Sequence, residues 1–180
     1  MNIVEPIKDK NKLKKVEDLL KKGNWRNLLL FIMGINTGLR VSDILALNVR
    51  DVKHKDYVSI IEKKTGKRKS FPLNTKVQNI VEYVTYRKKM TEPLFKTSHK
   101  KRMDRTNAYR IINRACRKAG IDACIGTHTL RKTFGYHHYK QFKDVVILQK
   151  IFNHSSPQIT LRYIGVEQDE IDKSYMSFTL

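Results

Sequence analysis

The chain has 180 residues, of which 40% are hydrophobic, an ordinary composition for one domain with a buried core. Lys and Arg number 37 against 17 Asp and Glu, which gives a formal net charge of +20, and self-repulsion at that charge favours a polyanionic partner. The longest apolar run, Leu28 to Met33, is too short to span a membrane, and the polar residues after Met1 do not form a signal peptide. We therefore expect a nucleic acid, rather than a membrane, as the partner.

The first part of the chain predicts three helices. Apolar residues at helical spacing among the lysines of the first 22 residues predict an amphipathic helix that stops at Gly23. Its lysines form either a solvated face, which is the simpler interpretation, or direct contacts with the nucleic acid. Asn24 is expected to cap a second, apolar helix that ends near Thr37-Gly38, and Ser42 opens a short third helix.

A change from helical to alternating periodicity predicts a β-hairpin. Residues 57–62 and 68–73 are the two strands, and glycine stands in the basic turn between them. Thr75 is expected to cap the next helix, and Pro93 begins an extended stretch. Helical patterns return at about 107–119, 130–141, 144–152, 157–163 and 168–173. The chain is therefore predicted to be an α+β protein, mostly α-helical, with a small antiparallel sheet.

Two segments place basic side chains beside helix ends. Gly38 permits a tight turn before Arg40, whose guanidinium can bind two phosphate oxygens at once. A simple ion pair with a carboxylate such as Asp43 is the alternative. His128 and Arg131 are three residues apart at a helix start, so they share a face at the end that favours an anion. A capping histidine beside a surface arginine is the alternative there.

Neither the adjacent histidines nor the cysteines indicate a metal site. His137 and His138 are neighbours in a predicted helix, where adjacent side chains point apart. Cys116 and Cys124 fit no metal-ligand pattern and no secreted disulfide framework, so reduced thiols in a cytoplasmic protein are expected. We expect no metal and no cofactor.

Taken together, the basic segments resemble the tyrosine recombinase (phage integrase) family, from about Trp25 to Ile164. The family's arginine after Thr-Gly-Leu is matched by Arg40 in TGLRVSD. Its hairpin lysine, about two dozen residues later, is matched by Lys64 in KTGKRKSFPL.

The second half of the chain carries the other family motifs. HTLRKTF, with His128 and Arg131, is similar to the His-x-x-Arg box, and FNHSS places His154 in the Leu-Gly-His-Ser box. The family's glycine before that histidine is Asn153 here, and asparagine tolerates the left-handed conformation that glycine would supply. The nucleophile position falls nine residues after the histidine, at Tyr163 in ITLRYIG.

The resemblance implies a site-specific enzyme, independent of metal and ATP, that cuts and rejoins DNA through a 3′-phosphotyrosyl intermediate. It also implies the fold of a tyrosine recombinase catalytic domain. The expected catalytic residues are Tyr163, Arg40, Lys64, His128, Arg131 and His154. The expected further DNA contacts are Lys63, Lys67, Arg68 and Lys132.

Each expected catalytic residue has an implied role. The two arginines would clamp the phosphate and neutralise charge in the transition state. His128 would take the tyrosine proton, and His154 would donate a hydrogen bond to a phosphate oxygen. Lys64 would protonate the leaving 5′-oxygen, although Lys63 and Lys67 lie close enough in sequence to be alternatives.

The chain departs from the family at both ends. Arg40 arrives after only 39 residues, so the N-terminal core-binding (clamp) domain is expected to be absent, and residues 1–180 are expected to form a single catalytic domain. Either the chain is an excised catalytic domain or it is a naturally minimal recombinase. The tail from Ile164 to Leu180 either docks on a neighbouring protomer or packs on its own core.

The resemblance implies double-stranded DNA as the partner, with assembly as a tetramer on DNA, while a monomer is allowed in solution. It also implies a protein of bacterial or phage origin, located in the cytoplasm with the nucleoid. Two other functions remain open at this point. One is a topoisomerase of the type IB kind, which shares this chemistry. The other is a non-catalytic DNA-binding integrase relic.

Overall fold

The computed structural model of the protein describes residues 4–179, which form α-helices and one two-stranded antiparallel sheet. The helices are α1 (Lys10–Gly23), α2 (Trp25–Thr37), α3 (Val41–Ala46), α4 (Thr75–Thr85), α5 (Arg105–Lys118), α6 (Thr129–Phe142), α7 (Val145–Phe152), α8 (Pro157–Ile164) and α9 (Val166–Ser177). The strands are β1 (Tyr57–Ile61) and β2 (Arg68–Pro72), and a short 3₁₀ helix spans Val49–Asp51. The prediction of a mostly helical α+β domain with a small antiparallel sheet is confirmed.

Helix α2 lies at the centre of the larger hydrophobic core. The six consecutive apolar residues of 28–33 are all buried, because α2 packs against α1, α4 and α6 on different sides. Gly34 lets α6 approach closely, since a Cβ atom there would lie 2.5 Å from the Leu130 side chain. The apolar run is therefore a core helix. Among residues 4–179, no helix has the length and apolarity that a membrane span needs.

A smaller hydrophobic cluster fixes the helices near the C-terminus. Phe152 and Ile164, from α7 and α8, are fully buried in it. Gly135 of α6 lies against both, and a Cβ atom there would come within 2.7 Å of each. This close packing holds α8 against α6, so the position of Tyr163 in α8 is set by the cluster.

One face of the two-stranded hairpin packs against the larger hydrophobic core. Val58 pairs with Phe71 in the register, and both are buried. Because side chains alternate along a strand, the same face carries Lys69 on β2 and continues to Glu62 just after β1. Glu62 is only 2% exposed, so the hairpin presents one buried carboxylate and one partly buried lysine to the rest of the protein.

Two predicted details of the elements are wrong. Asn74, and not Thr75, caps α4, because the Asn74 side chain accepts a hydrogen bond from the backbone N–H of Val77 at 3.0 Å. The last helix is also longer than the predicted 168–173, since α9 begins directly after Gly165, which adopts a left-handed conformation with φ 77°.

The segment before α1 crosses α6 instead of extending into solvent. The backbone N–H of Ile7 donates to Thr133 Oγ1 at 2.9 Å, and the Ile7 carbonyl lies 2.9 Å from His137 Nε2. Lys8 forms an ion pair with Asp169 of α9. Residues 4–9 therefore connect α6 to α9.

Candidate active site

Tyr163 on α8 directs its hydroxyl toward the start of α6. The Tyr163 hydroxyl oxygen lies 3.2 Å from His128 Nδ1. Burial raises the pKa of Tyr163, whereas the positive charges of Arg131 and Arg40 act to lower it, and the net pKa stays above the ordinary value. The phenol is therefore protonated at neutral pH, next to a ring nitrogen that can accept its proton.

Arg131 is the most firmly held charged residue of this site. Its side chain is buried (3% exposed) and donates to the Gly38 carbonyl at 2.6 Å and to the Phe152 carbonyl at 2.8 Å. The guanidinium also lies 4.3 Å from the centroid of the Phe152 ring, a cation–π distance. Burial lowers the pKa of Arg131, yet an arginine remains charged in proteins. Contacts to the turn after α2 and to the end of α7 thus fix a cation beside Tyr163.

Arg40 is held by a carboxylate that the sequence motifs did not indicate. Its Nη1 lies 2.8 Å from Glu62 Oε1, and Glu62 Oε2 accepts a hydrogen bond from Thr65 at 2.7 Å. Burial acts to raise the pKa of Glu62, but the Thr65 hydrogen bond and Arg40 outweigh it and hold the pKa below its ordinary value. Asp43, the partner considered from sequence, instead accepts from the backbone N–H of Lys63 at 3.0 Å. Glu62 therefore fixes Arg40, and Asp43 fixes the turn of the hairpin.

A groove of about 560 Å³ runs beside these groups. Lys64 is exposed at the hairpin tip and lines this groove together with Arg40 and His128. Burial is the main cause that lowers the pKa of His128, and four cations lower it further: Arg131, Lys132, Arg40 and Lys64. His128 occupies the N-cap position of α6, but its side chain makes no cap hydrogen bond.

His154 also lies against the Tyr163 ring. The two rings meet edge to face, with centroids 5.1 Å apart, and His154 Nδ1 lies 3.0 Å from Thr160 Oγ1. Burial, together with the charges of Arg131 and Arg40, lowers the pKa of His154 to about 4. The preceding Asn153 has φ 53°, which is the left-handed conformation expected from the sequence.

The further basic residues predicted as DNA contacts divide into separate places. Lys63 lines the groove with Arg40. Lys67 and Arg68 line a separate cavity of about 610 Å³, where Lys67 Nζ lies 3.4 Å from Asn153 Oδ1. Lys132 donates to the Val4 carbonyl at 2.8 Å and lies 5.1 Å from the centroid of the Tyr163 ring. The structure therefore brings Lys63 into the groove and Lys132 to the tyrosine. Lys67 and Arg68 line the separate cavity instead.

Lys69 is a site residue that the sequence motifs did not reveal. Its Nζ donates to the Ile151 carbonyl at 2.8 Å, one residue before the carbonyl that Arg131 holds. Burial lowers the pKa of Lys69 to about 8, and the charge of Arg131 adds to the effect. The strand alternation that places Phe71 inward also places Lys69 inward. This alternation is the feature of the sequence from which Lys69 could have been predicted as an inward-facing residue. Within residues 4–179, no group of three or more His, Cys, Asp or Glu side chains is arranged to hold a metal ion.

Comparison with known families decides what kind of protein carries this site. The family model described as Phage integrase family matches residues 9–170. The chain belongs to the phage integrase family. The resemblance stated from the sequence motifs is therefore confirmed.

Individual proteins that are similar to this chain extend this result. The probable integrase/recombinase YoeC of Bacillus subtilis (strain 168) is 48% identical over 180 residues, covering 99% of this chain and 98% of that protein. The crystal structure of XerA recombinase matches with a TM-score of 0.76 at 20% identity, over 99% of this chain and 65% of that one. The Tn1549 transposon integrase in complex with transposon right end DNA matches with a TM-score of 0.71 at 15% identity, over 97% of this chain and 66% of that one. The chain thus spans slightly less than two thirds of the two solved proteins, and these two matches show the shared fold.

Proposed function

We propose that this protein is a site-specific DNA recombinase that cuts and rejoins strands through a covalent 3′-phosphotyrosyl bond to Tyr163. The observation that carries the proposal is the Tyr163 hydroxyl at 3.2 Å from His128 Nδ1, beside the fixed and buried guanidinium of Arg131. A nucleophile, a base within hydrogen-bond reach and a pre-organised cation are what attack on a phosphodiester requires.

In the proposed cleavage step, the Tyr163 oxygen attacks phosphorus and the bond from phosphorus to the 5′-oxygen breaks. His128 accepts the tyrosine proton, and Lys64 gives a proton to the departing 5′-oxygen. Arg40 and Arg131 neutralise the charge that develops on the non-bridging oxygens. One phosphoester replaces another, so the reverse reaction with a new 5′-hydroxyl reseals the strand without ATP. The cations of the site supply the charge that a metal ion would otherwise provide.

The positions of the groups support this division of roles. The lowered pKa of His128 leaves the ring neutral and able to accept a proton at neutral pH. Lys64 is exposed in the groove, where it can reach a bound strand. Lys63 lines the same groove and is the nearest alternative donor, whereas Lys67 is directed toward Asn153.

Double-stranded DNA is the proposed partner, and a tetramer on DNA is the proposed assembly. The net charge of +20 and the basic groove favour a polyanion. The Tn1549 transposon integrase, which shares the fold, is described in complex with transposon DNA. The proposed assignment of residues 1–180 to a single catalytic domain agrees with the match to YoeC over 98% of that protein.

Two other functions use the same residues differently. A topoisomerase of the type IB kind would relax DNA without strand exchange between sites. A relic would bind DNA without cutting it. The close contact of Tyr163 with His128 favours an active enzyme, because a relic has no need to retain a base beside the nucleophile.

A nicked suicide substrate tests the proposal most directly. We expect wild-type protein, without metal or ATP, to form a DNA–protein adduct that is stable on a denaturing gel. Tyr163→Phe should bind the same DNA and form no adduct, because the attacking oxygen is missing. Tyr175→Phe is the matched control and should react like wild type, since Tyr175 is 79% exposed on α9. Binding without any adduct in wild type would favour the relic, and relaxation without joining of two sites would favour the topoisomerase.

A further inference from the structure

The backbone of His154 is fixed before any DNA is bound. Its N–H donates to the Gln149 carbonyl at 3.1 Å, and its carbonyl accepts from Gln149 Nε2 at 3.1 Å. With both backbone groups held by one residue of α7, only rotation of the side chain remains. The contact between His154 Nδ1 and Thr160 Oγ1 at 3.0 Å restricts that rotation.

Thr160 is a buried residue whose hydroxyl serves two neighbours. Its exposed fraction is 0%, and Oγ1 lies 3.3 Å from the Ser156 carbonyl as well as 3.0 Å from His154 Nδ1. The hydroxyl has a single proton. If that proton goes to the Ser156 carbonyl, the ring must donate from Nδ1, and both neighbours are hydrogen-bonded. If the proton goes to Nδ1 instead, the hydroxyl donates only there, and the Ser156 carbonyl accepts only from the backbone N–H of Thr160 at 3.3 Å.

The arrangement with two hydrogen bonds is the more stable one in a buried position. It contains one more hydrogen bond of the Thr160 hydroxyl than the alternative, and consecutive bonds strengthen each other. This arrangement favours the form of the neutral ring that carries its proton on Nδ1 and none on Nε2. A neutral His154 of this form can accept a hydrogen bond through Nε2 but cannot donate one to a phosphate.

We propose that Thr160 is a positioning residue that holds neutral His154 in the Nδ1–H form, so that His154 takes up a proton on Nε2 when it binds the scissile phosphate. The proposal rests on the proposed function, because it concerns the same phosphate. The proton comes from solvent on binding and returns to solvent when the DNA leaves. Thr160 itself does not touch the phosphate.

The charged groups around His154 explain why the proton arrives only with the DNA. Arg131 from α6 and Arg40 from the segment before α3 both oppose a positive ring, and the Tyr163 ring that faces it from α8 is neutral. Lys67 of the hairpin has its Nζ 3.4 Å from Oδ1 of the adjacent residue Asn153. A bound phosphate brings negative charge to this cationic cluster and so reverses the balance.

Nitrogen NMR of the free protein tests the assignment of the proton. In protein labelled with ¹⁵N-histidine, we expect neutral wild-type His154 to show a protonated Nδ1 and a bare Nε2. Thr160→Val keeps the shape of the side chain but removes the hydroxyl, so the proton should move to Nε2. Thr160→Ser keeps the hydroxyl and should behave like wild type, which separates loss of the hydroxyl from a change in packing. A protonated Nε2 in wild type would overturn the proposal.

Calorimetry of DNA binding in buffers of different ionisation enthalpy tests the proton uptake. In a Tyr163→Phe background, which prevents cleavage, we expect uptake of about one proton per bound protein near neutral pH. Adding Thr160→Val should lower the uptake, since a neutral ring with a proton on Nε2 can donate to the phosphate directly. Adding Thr160→Ser should leave the proton uptake unchanged. Equal uptake in all three proteins would overturn the proposal. The NMR result does not depend on cleavage, so it decides the Nδ1–H assignment even if wild type forms no adduct.

Discussion

Burial and nearby positive charge both shift the pKa values of Tyr163 and His128, but the two causes combine differently at each residue. Burial raises the pKa of the tyrosine, and burial also lowers the pKa of His128, because in each case the charged form loses hydration. The nearby cations oppose the first effect and add to the second. The result is a protonated nucleophile beside a neutral base, which is the starting state that general-base catalysis needs.

The lowered pKa of His128 leads to a prediction about the pH dependence of cleavage. The single-turnover rate of adduct formation should fall on acidification only below the ordinary histidine pKa of about 6.5, because His128 must become charged before it stops accepting the proton. His128→Gln should reduce the rate by about 10²–10⁴-fold and remove this acid limb. His99→Gln, at an exposed position, is the control. An unchanged acid limb in His128→Gln would assign the base to another residue.

The β-hairpin is the element that connects the two halves of the site. At the turn end of its strands, Glu62 holds Arg40, while Lys69 on β2 reaches the Ile151 carbonyl at the end of α7. The same α7 end provides the Phe152 carbonyl to Arg131 and leads into His154. The hairpin therefore sets the distance between Arg40 and the segment that carries His154, in addition to presenting Lys64.

Lys69→Met tests this tether through the pH dependence of stability. The pKa of Lys69 is lowered from 10.5 to about 8 in the folded protein, so between these values the unfolded chain binds more protons and folding is favoured by rising pH. The difference in the free energy of unfolding, wild type minus Lys69→Met, should therefore rise between about pH 8 and about pH 10.5. This stabilising contribution of Lys69 is lost as the pH falls through 8. Urea unfolding at several pH values measures it.

Lys55→Met is the control for the tether, because Lys55 is exposed in the loop before β1. A relative stability of Lys69→Met that does not vary with pH would show that Lys69 is not desolvated against α7. Slower adduct formation in Lys69→Met, with DNA affinity unchanged, would in addition show that the tether positions the catalytic groups.

For the whole molecule, we expect the distribution of the positive charge to affect binding more than its sum. Helix α5 buries one side in the core, with Ala108 and Ile112 covered, and its first residue Arg105 lines the groove beside His128. Its opposite side is exposed and carries Arg110, Arg114, Arg117 and Lys118. We expect this basic face of α5 to contact the proposed DNA partner beyond the groove.

Salt titration of DNA binding tests this placement. Arg110→Gln with Arg114→Gln should weaken binding and reduce the slope of log K against log salt by about 0.9 for each DNA phosphate that the variant no longer neutralises. Lys12→Gln with Lys15→Gln, an equal charge change on the exposed side of α1, should leave the slope nearly unchanged if those lysines are only solvated. Equal effects of the two double variants would mean that the total charge, and not the α5 face, determines binding.

The sequence by itself determined the elements and the motifs of this phage integrase family member. Caps and turns are local, so Asn24 and Gly38 could be assigned correctly from the sequence, as could the left-handed Asn153. The order and spacing of TGLR, HTLR, FNHSS and the final tyrosine indicated the family, because each motif is short and lies within one element or turn.

Only the tertiary structure decided which groups meet. The pairing of Arg40 with Glu62 instead of Asp43, the tether from Lys69 to α7 and the contact of Tyr163 with His128 join residues far apart in sequence. Such contacts depend on the packing of α6, α7 and α8 around Phe152 and on the inward face of the hairpin. Periodicity shows that a side chain points inward, but the partner it meets there is fixed only when separate elements pack together.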